Sequence, residues 1–191
     1  MLAVLLILVT LQNLVVAQRS SPSIISVPNG DRRGTWGPME VCDEGTVVRG
    51  FKLKVQQWKG PFIDDTALNG IALFCTKNSS REAVKTITSS VGEFGSWGHT
   101  YWCDSKRFLI SFSLRVESTN KIDKTAANNI KFTCSDGSVM EGDGRSQGSY
   151  GPWSTNCEIG IRGIQTRVQK KRGFLFDDVA LTDARFLCRD N

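Results

Sequence analysis

The chain is 191 residues long, with 24 Lys or Arg against 19 Asp or Glu, one histidine, six cysteines and a formal net charge of +5. Once an apolar leader is set aside, that length supports one well-cored domain. A lone histidine and the lack of closely spaced cysteine pairs argue against a metal site, and no cofactor is expected.

Met1 to Ala17 carries no charged side chain and is almost wholly apolar, and Val15-Val16-Ala17 offers small residues for cleavage before Gln18. This reads as a signal peptide. A membrane anchor is the competing reading, but the run falls short of the ~20 apolar residues that a span needs, and Gln12-Asn13 interrupt it. Residues 18–33, with Ser20-Ser21-Pro22-Ser23 and Asp31-Arg32-Arg33, form a partly loose lead-in, and residues 34–191 form a single domain. Nothing later is apolar for long enough to cross a bilayer. The expected product is secreted and has no membrane span.

The domain repeats itself over residues 34–76, 95–135 and 151–189. In the first unit Gly34-Thr35-Trp36-Gly37 precedes Cys42. The alternating run Phe51-Lys52-Leu53-Lys54-Val55 follows, and Asp64-Asp65-Thr66-Ala67-Leu68-Asn69 leads through Ile71-Ala72-Leu73-Phe74 to Cys75. The second unit runs from Gly95-Ser96-Trp97-Gly98 and Cys103 through Phe112-Ser113-Leu114-Arg115-Val116. It then passes from Asp123-Lys124-Thr125-Ala126 to Ile130-Lys131-Phe132-Thr133-Cys134. The third aligns Gly151-Pro152-Trp153-Ser154, Cys157, Ile164-Gln165-Thr166-Arg167-Val168 and Asp177-Asp178-Val179-Ala180, ending at Cys188. From the first Asp of each box to its cysteine is 11 positions every time.

Apolar residues at every second position predict half-buried strands, and no window shows helical periodicity. The 18 glycines punctuate the chain as turns between short strands require. Each unit therefore reads as a small antiparallel sheet of about four strands, and three such sheets can bury their apolar faces together around one axis. The fold class is all-β. The repeat also selects one cysteine pair per unit, Cys42–Cys75, Cys103–Cys134 and Cys157–Cys188, separated by 33, 31 and 31 positions. Each bridge would tie the strand after the Trp-Gly turn to the last strand of its own unit. Asn78-Ser79-Ser80, in the polar connection after the first unit, is a glycosylation sequon on an expected surface loop.

The Asp-Asp-Thr-Ala box admits two readings. Asp and Thr side chains can fix a turn before a strand by bonding nearby amides. Alternatively, Asp64, Asp65, Asp123, Asp177 and Asp178 form carboxylates placed to contact a sugar or cation. Recurrence in all three units favours scaffold, because a single active site would break the symmetry. Trp36, Trp97 and Trp153, each ahead of a bridged cysteine, are expected in the core. Trp58, beside Lys59-Gly60-Pro61-Phe62, and Trp102 fall outside the pattern and are better surface candidates, Trp58 above all for carbohydrate. Gly144-Arg145-Ser146-Gln147-Gly148 matches the nucleophile-elbow expression, but that motif works only on a strand–turn–helix corner backed by a histidine. A glycosidase would need two facing carboxyl groups, and the boxes with Glu93 or Glu117 could supply them, though nothing in the sequence brings them together. The basic excess, densest at Lys170-Lys171-Arg172, favours acidic glycans, mucins or anionic surfaces over nucleic acid.

The threefold Trp-Gly, Cys, Asp-Asp-Thr-Ala-Leu-Asn, Cys pattern resembles the vitelline membrane outer layer protein family, most closely over Asp64 to Ile71 and Asn120 to Cys134 and in outline from Trp36 to Cys188. The resemblance implies a type I β-prism: three Greek-key, four-stranded sheets with pseudo-threefold symmetry. It also implies a protein secreted into egg coats or mucosal fluids, with mucins, lysozyme and oligosaccharides as partners; a monomer is expected. A transferase-like activity on chito-oligosaccharides accompanies the family without an agreed residue set, so no catalytic residue is carried over. Family members generally hold eight cysteines, and Arg162 and Arg189 stand where the extra pair would be. The favoured reading is a structural, carbohydrate-associated protein. The alternatives are a glycosyl transferase or hydrolase and a β-prism lectin.

Overall fold

The computed structural model describes residues 23–56, 68–77, 80–117, 127–169 and 180–189. Every regular element within them is a strand: β1 (Ile24–Ile25), β2 (Thr35–Trp36), β3 (Glu40–Val41), β4 (Val47–Val55), β5 (Leu68–Thr76), β6 (Ala83–Ile87), β7 (Ser96–Trp102), β8 (Leu109–Val116), β9 (Ala127–Cys134), β10 (Val139–Glu141), β11 (Ser149–Tyr150), β12 (Ile161–Val168) and β13 (Leu181–Cys188). The alternation read from sequence sets the faces. Along β4, Phe51, Leu53 and Val55 are buried, while Lys52 and Lys54 reach the surface between them.

The strands form three sheets ordered β6-β5-β4-β7, β10-β9-β8-β11 and β1-β13-β12-β2, with β3 also on β12. All pairings are antiparallel. In the first two sheets three consecutive strands are followed by a fourth that returns beside the first, the Greek-key order. The third sheet has the same plan but is assembled from both ends of the chain. Its β2 and β3 together occupy one edge position, interrupted at Gly37-Pro38-Met39, where proline has no amide for the ladder. The fold also begins before residue 34. β1 lies in this sheet, and Ile25 and Val27 are in the common core, so the lead-in expected to be partly loose is in part a strand.

Repeat and sheet are offset by one strand, which the sequence did not show. The strand leading into the first cysteine of each unit pairs with the previous sheet, not with its own. The amide of Cys42 donates to the carbonyl of Arg162, that of Cys103 to Arg49 and that of Cys157 to Ile110, each at 2.8 Å. The three bridges join the expected pairs. Because of the offset, each runs from one sheet to the next, and together they close a covalent ring around the axis. A cysteine spacing marks the unit along the chain, whereas backbone pairing marks the sheet, and the two need not coincide.

Inside the ring the apolar faces meet. Phe51, Phe112, Phe132 and Phe186 are fully buried and come from all three sheets. Phe132 lies 4.8 Å from Phe51 and 5.3 Å from Phe186, centroid to centroid. In the third sheet Thr166 stands where the others carry Leu53 and Leu114. Its buried hydroxyl is satisfied by donating to the carbonyl of Ser90 at 2.6 Å. At the bridge end each central strand has a bulge, at Arg49, Ile110 and Arg162. The buried Arg49 donates from all three nitrogens to carbonyls of Arg107, Ser80 and Asp104 at 2.6–2.8 Å, so one guanidinium ties two loops to the first sheet.

Candidate functional site

Trp58, Asp64, Asp65, Asn78, Asp123, Asp177 and Asp178 lie outside the described residues. The strands that their boxes lead into are described, and there the equivalent residues Asn69, Asn128 and Thr182 are buried. Each of their carbonyls accepts one amide from the loop after an edge strand: Gly92 at 2.6 Å, Arg145 at 2.7 Å and Asp31 at 2.9 Å. Two of the side chains also hold the turn before the next strand. Asn128 Nδ2 donates to the Gln147 carbonyl at 3.1 Å and Thr182 Oγ1 to that of Arg33 at 2.7 Å. The glycine that follows each turn, Gly34, Gly95 or Gly148, has positive φ, and a Cβ there would collide with the backbone near Val168, Val55 or Val116. The residues that follow each box therefore belong to the scaffold.

The tryptophans are not in the core. Trp97 and Trp153 are 37% and 40% exposed, and Trp36 is half-buried. They lie on the outer faces of the sheets because inward positions are already filled by the alternating aliphatic and phenylalanine side chains. The third unit also aligns differently from expectation. Trp36 pairs with Arg167, Trp97 with Lys54, and Tyr150 with Arg115. The third counterpart of the first two rings is thus Tyr150, in Gly148-Ser149-Tyr150-Gly151, and Trp153 is an additional aromatic beyond the threefold set. Trp102, expected at the surface, is half-buried and stacked on Phe74 at 5.1 Å.

Each outer ring is flanked by cations. Arg167 and Arg185 lie 4.5 and 4.4 Å from the Trp36 centroid. Arg115 and Lys131 lie 4.5 and 4.3 Å from that of Tyr150, and Lys131 is also 4.9 Å from Trp153. On the remaining sheet Lys52 lies 5.3 Å from Trp97. Such contacts contribute about 0.5–1 kcal/mol each at exposed sites. Three basic, aromatic faces thus surround the prism. The sequence carried their signal in the cations at outward positions of β8, β9, β12 and β13, but not the neighbouring ring each would meet.

Other candidates resolve more simply. Gly144-Arg145-Ser146-Gln147-Gly148 joins β10 to β11, where Gly144 donates to Asn129 Oδ1 at 3.3 Å, so it has no strand–turn–helix corner. His99 is exposed, and its amide donates to Asp143 Oδ2 at 2.9 Å. Among the described residues no three His, Cys, Asp or Glu side chains group as a metal site. Arg162 and Arg189 lie on the adjoining strand ends where Ile161 pairs with Cys188, as a direct bridge between those two positions would require.

Among the described residues the Asp183 carboxyl is strongly displaced. Burial pushes it up to about 6 from an ordinary 3.8, against the pull of the Ala184 amide and of Arg167 and Arg185, with Asp31 adding to the rise. The folded state holds this proton more tightly than the unfolded chain. The associated stability is complete below the unfolded value and is lost as pH rises through about 6. The second sheet has Asn129 at the same place, receiving the following amide at 2.8 Å just as Asp183 does. Asp183→Asn is therefore expected to stabilise the protein at about pH 7.5 by roughly 1–2 kcal/mol, allowing for screening on its open side, and hardly at all at about pH 4. Urea unfolding at both values checks this; an equal gain at both would show that the carboxyl's charge is not the cause.

Three antiparallel Greek-key sheets around one axis define a type I β-prism. Solved structures with this fold include Calystegia sepium agglutinin, at TM-score 0.57 and 14% identity over 90% of this chain and 99% of that one. Another is Calsepa lectin in complex with bisected glycan, at 0.57 and 15% over 90% and 99%. Artocarpin complexed with Me-alpha-mannose matches at 0.51 and 12% over 88% and 97%. At such identities the likeness concerns the fold. The sequence goes further: residues 23–191 match the family model described as vitelline membrane outer layer protein I, and the chain belongs to that family. The vitelline membrane outer layer protein 1 homolog of Mus musculus is 46% identical over 167 residues, covering 87% of this chain and 83% of that one. The Homo sapiens homolog is 43% identical over the same length, covering 87% and 82%.

Proposed function

We propose that the protein is a secreted, structural and carbohydrate-associated component of an extracellular coat or mucosal secretion, holding acidic glycoproteins such as mucins against its surface. The observation that carries this is the set of cation-flanked rings on all three outer faces of a prism that lectins share. Its relatives' name, which refers to the outer layer of the vitelline membrane, and the ring of three bridges, suited to an oxidising compartment, support the same reading. A lectin is the second reading, favoured by the solved β-prisms in complex with a bisected glycan and with Me-alpha-mannose.

A glycan array run with the full chain at about 50 and about 500 mM salt separates the two. Adhesion through basic faces is expected to favour sialylated and sulfated glycans at low salt and to lose most of that signal at high salt, as screening shortens the reach of the charges. Lectin recognition of neutral mannose-type glycans would persist at both. Silence toward every acidic glycan at low salt would reject the proposal.

A further inference from the structure

The three outer faces are built on one plan but are not chemically equal. Counting back from the second cysteine of each unit, the same outward position holds Ala72 on the first sheet, Lys131 on the second and Arg185 on the third. On the third sheet both cations are already engaged: Arg167 donates to the Asp31 carbonyl at 3.0 Å and Arg185 to Gln165 Oε1 at 2.7 Å, around a half-buried ring. On the first sheet, among the described residues, Lys52 approaches Trp97 at 5.3 Å.

The second sheet departs from both. Trp153, the aromatic outside the threefold set, adds an exposed ring. The Lys131 ammonium sits between it and Tyr150 at 4.9 and 4.3 Å, with no carboxylate within salt-bridge reach among the described residues. Glu141, which stands opposite Lys131 in the β9–β10 register, accepts from Arg115 and Asn129, each at 3.4 Å. Burial, and then Glu141, hold the Tyr150 phenol well above its ordinary value, so it keeps its proton there. The face offers a flat apolar surface, a cation between two rings with no salt-bridge partner among the described residues, and a symmetry break that the scaffold does not require.

A pyranose has apolar C–H faces that lie on an indole, and a carboxylate or sulfate on the same sugar would meet the ammonium beside it. We propose that Trp153, Lys131 and Tyr150 on the second sheet form a subsite for one acidic sugar residue, sialylated or sulfated. This rests on the glycan-associated reading above and assigns it to a place. Arg115 is a positioning residue: it stacks on Tyr150 and occupies Glu141, which would otherwise repel the anion.

The test is titration of the full chain with a sialylated lactosamine trisaccharide, a sulfated lactosamine and neutral lactosamine, read by calorimetry. Lys131→Gln, Trp153→Ala and, as a control at an exposed edge position on the first sheet, Val84→Ala are compared with the parent. Circular dichroism confirms the fold of each, since all three changes are at surface positions. The parent is expected to bind at least one acidic sugar about tenfold more tightly than the neutral one, and Lys131→Gln and Trp153→Ala each to lose about tenfold, with Val84→Ala unchanged. Parent-like affinity in both second-sheet variants would overturn the assignment while leaving glycan association standing. No binding by the parent would overturn both, as would equal affinity for acidic and neutral sugars for this subsite alone.

Discussion

Replacing Cys103 and Cys134 together by alanine is expected to cost about 3–4 kcal/mol and to lower the melting temperature by roughly 10 °C. The bridge spans 31 positions, and in the chain-entropy account a loop of that size removes this much freedom from the unfolded state. Its position in the fold adds a spatial signature. Cys103 follows β7 on the first sheet, where its amide bonds to Arg49, whereas Cys134 ends β9 on the second. Loss of protection from hydrogen exchange should therefore begin where these two sheets abut, around Trp102, Cys103 and Cys134, and spare the β4–β5 pairing within the first sheet. Calorimetry and amide exchange on the same sample check both parts. A melting temperature within a degree or two of the parent, or exchange that spreads first through β4 and β5, would mean that the ring of bridges does not hold the sheets together.

Much of this arrangement is legible in the sequence. Alternation in Phe51–Val55, Phe112–Val116 and Ile164–Val168 named the central strands and their inward faces, because a strand's period of two is local and survives any tertiary context. Cysteine spacing named the bridged pairs for a similar reason: a repeat keeps its covalent links at fixed offsets. What the sequence hid is non-local. Nothing in Gly95-Ser96-Trp97-Gly98 says that the strand it opens will pair with β4 of the preceding unit, and hence that each bridge will cross a sheet boundary. The aromatic alignment misled for the same reason. Trp153 looked like the third tryptophan because it is a tryptophan, yet pairing puts Tyr150 opposite Arg115 and leaves Trp153 over. The candidate site followed from that register, since Lys131 reads only as an outward strand residue until two rings are placed on either side of it.

The second large effect belongs to the axis. Phe132→Ala is expected to destabilise the protein by about 3–5 kcal/mol, and Phe132→Leu by no more than about 1.5 kcal/mol. The ring of Phe132 is fully buried. It touches a phenylalanine from each of the other two sheets, Phe51 at 4.8 Å and Phe186 at 5.3 Å, and faces Phe112 of its own sheet at 6.3 Å. Truncation removes a ring that meets aromatic side chains of both other sheets, and bridged strands on three sides leave the surroundings little freedom to collapse into the space. Leucine should be tolerated because the equivalent place on the first sheet is already Leu73, so the plan of the fold accepts an aliphatic there. The loss should also be shared: one core serves three sheets, and the variant should unfold in a single transition at a lower denaturant midpoint rather than shedding the second sheet first. Urea unfolding followed by both tryptophan fluorescence and far-ultraviolet circular dichroism distinguishes these outcomes. Separate transitions in the two signals would mean that the sheets are stable independently of their common core, and an alanine variant within about 1 kcal/mol of the parent would mean that the aromatic cluster contributes little beyond the bridges around it.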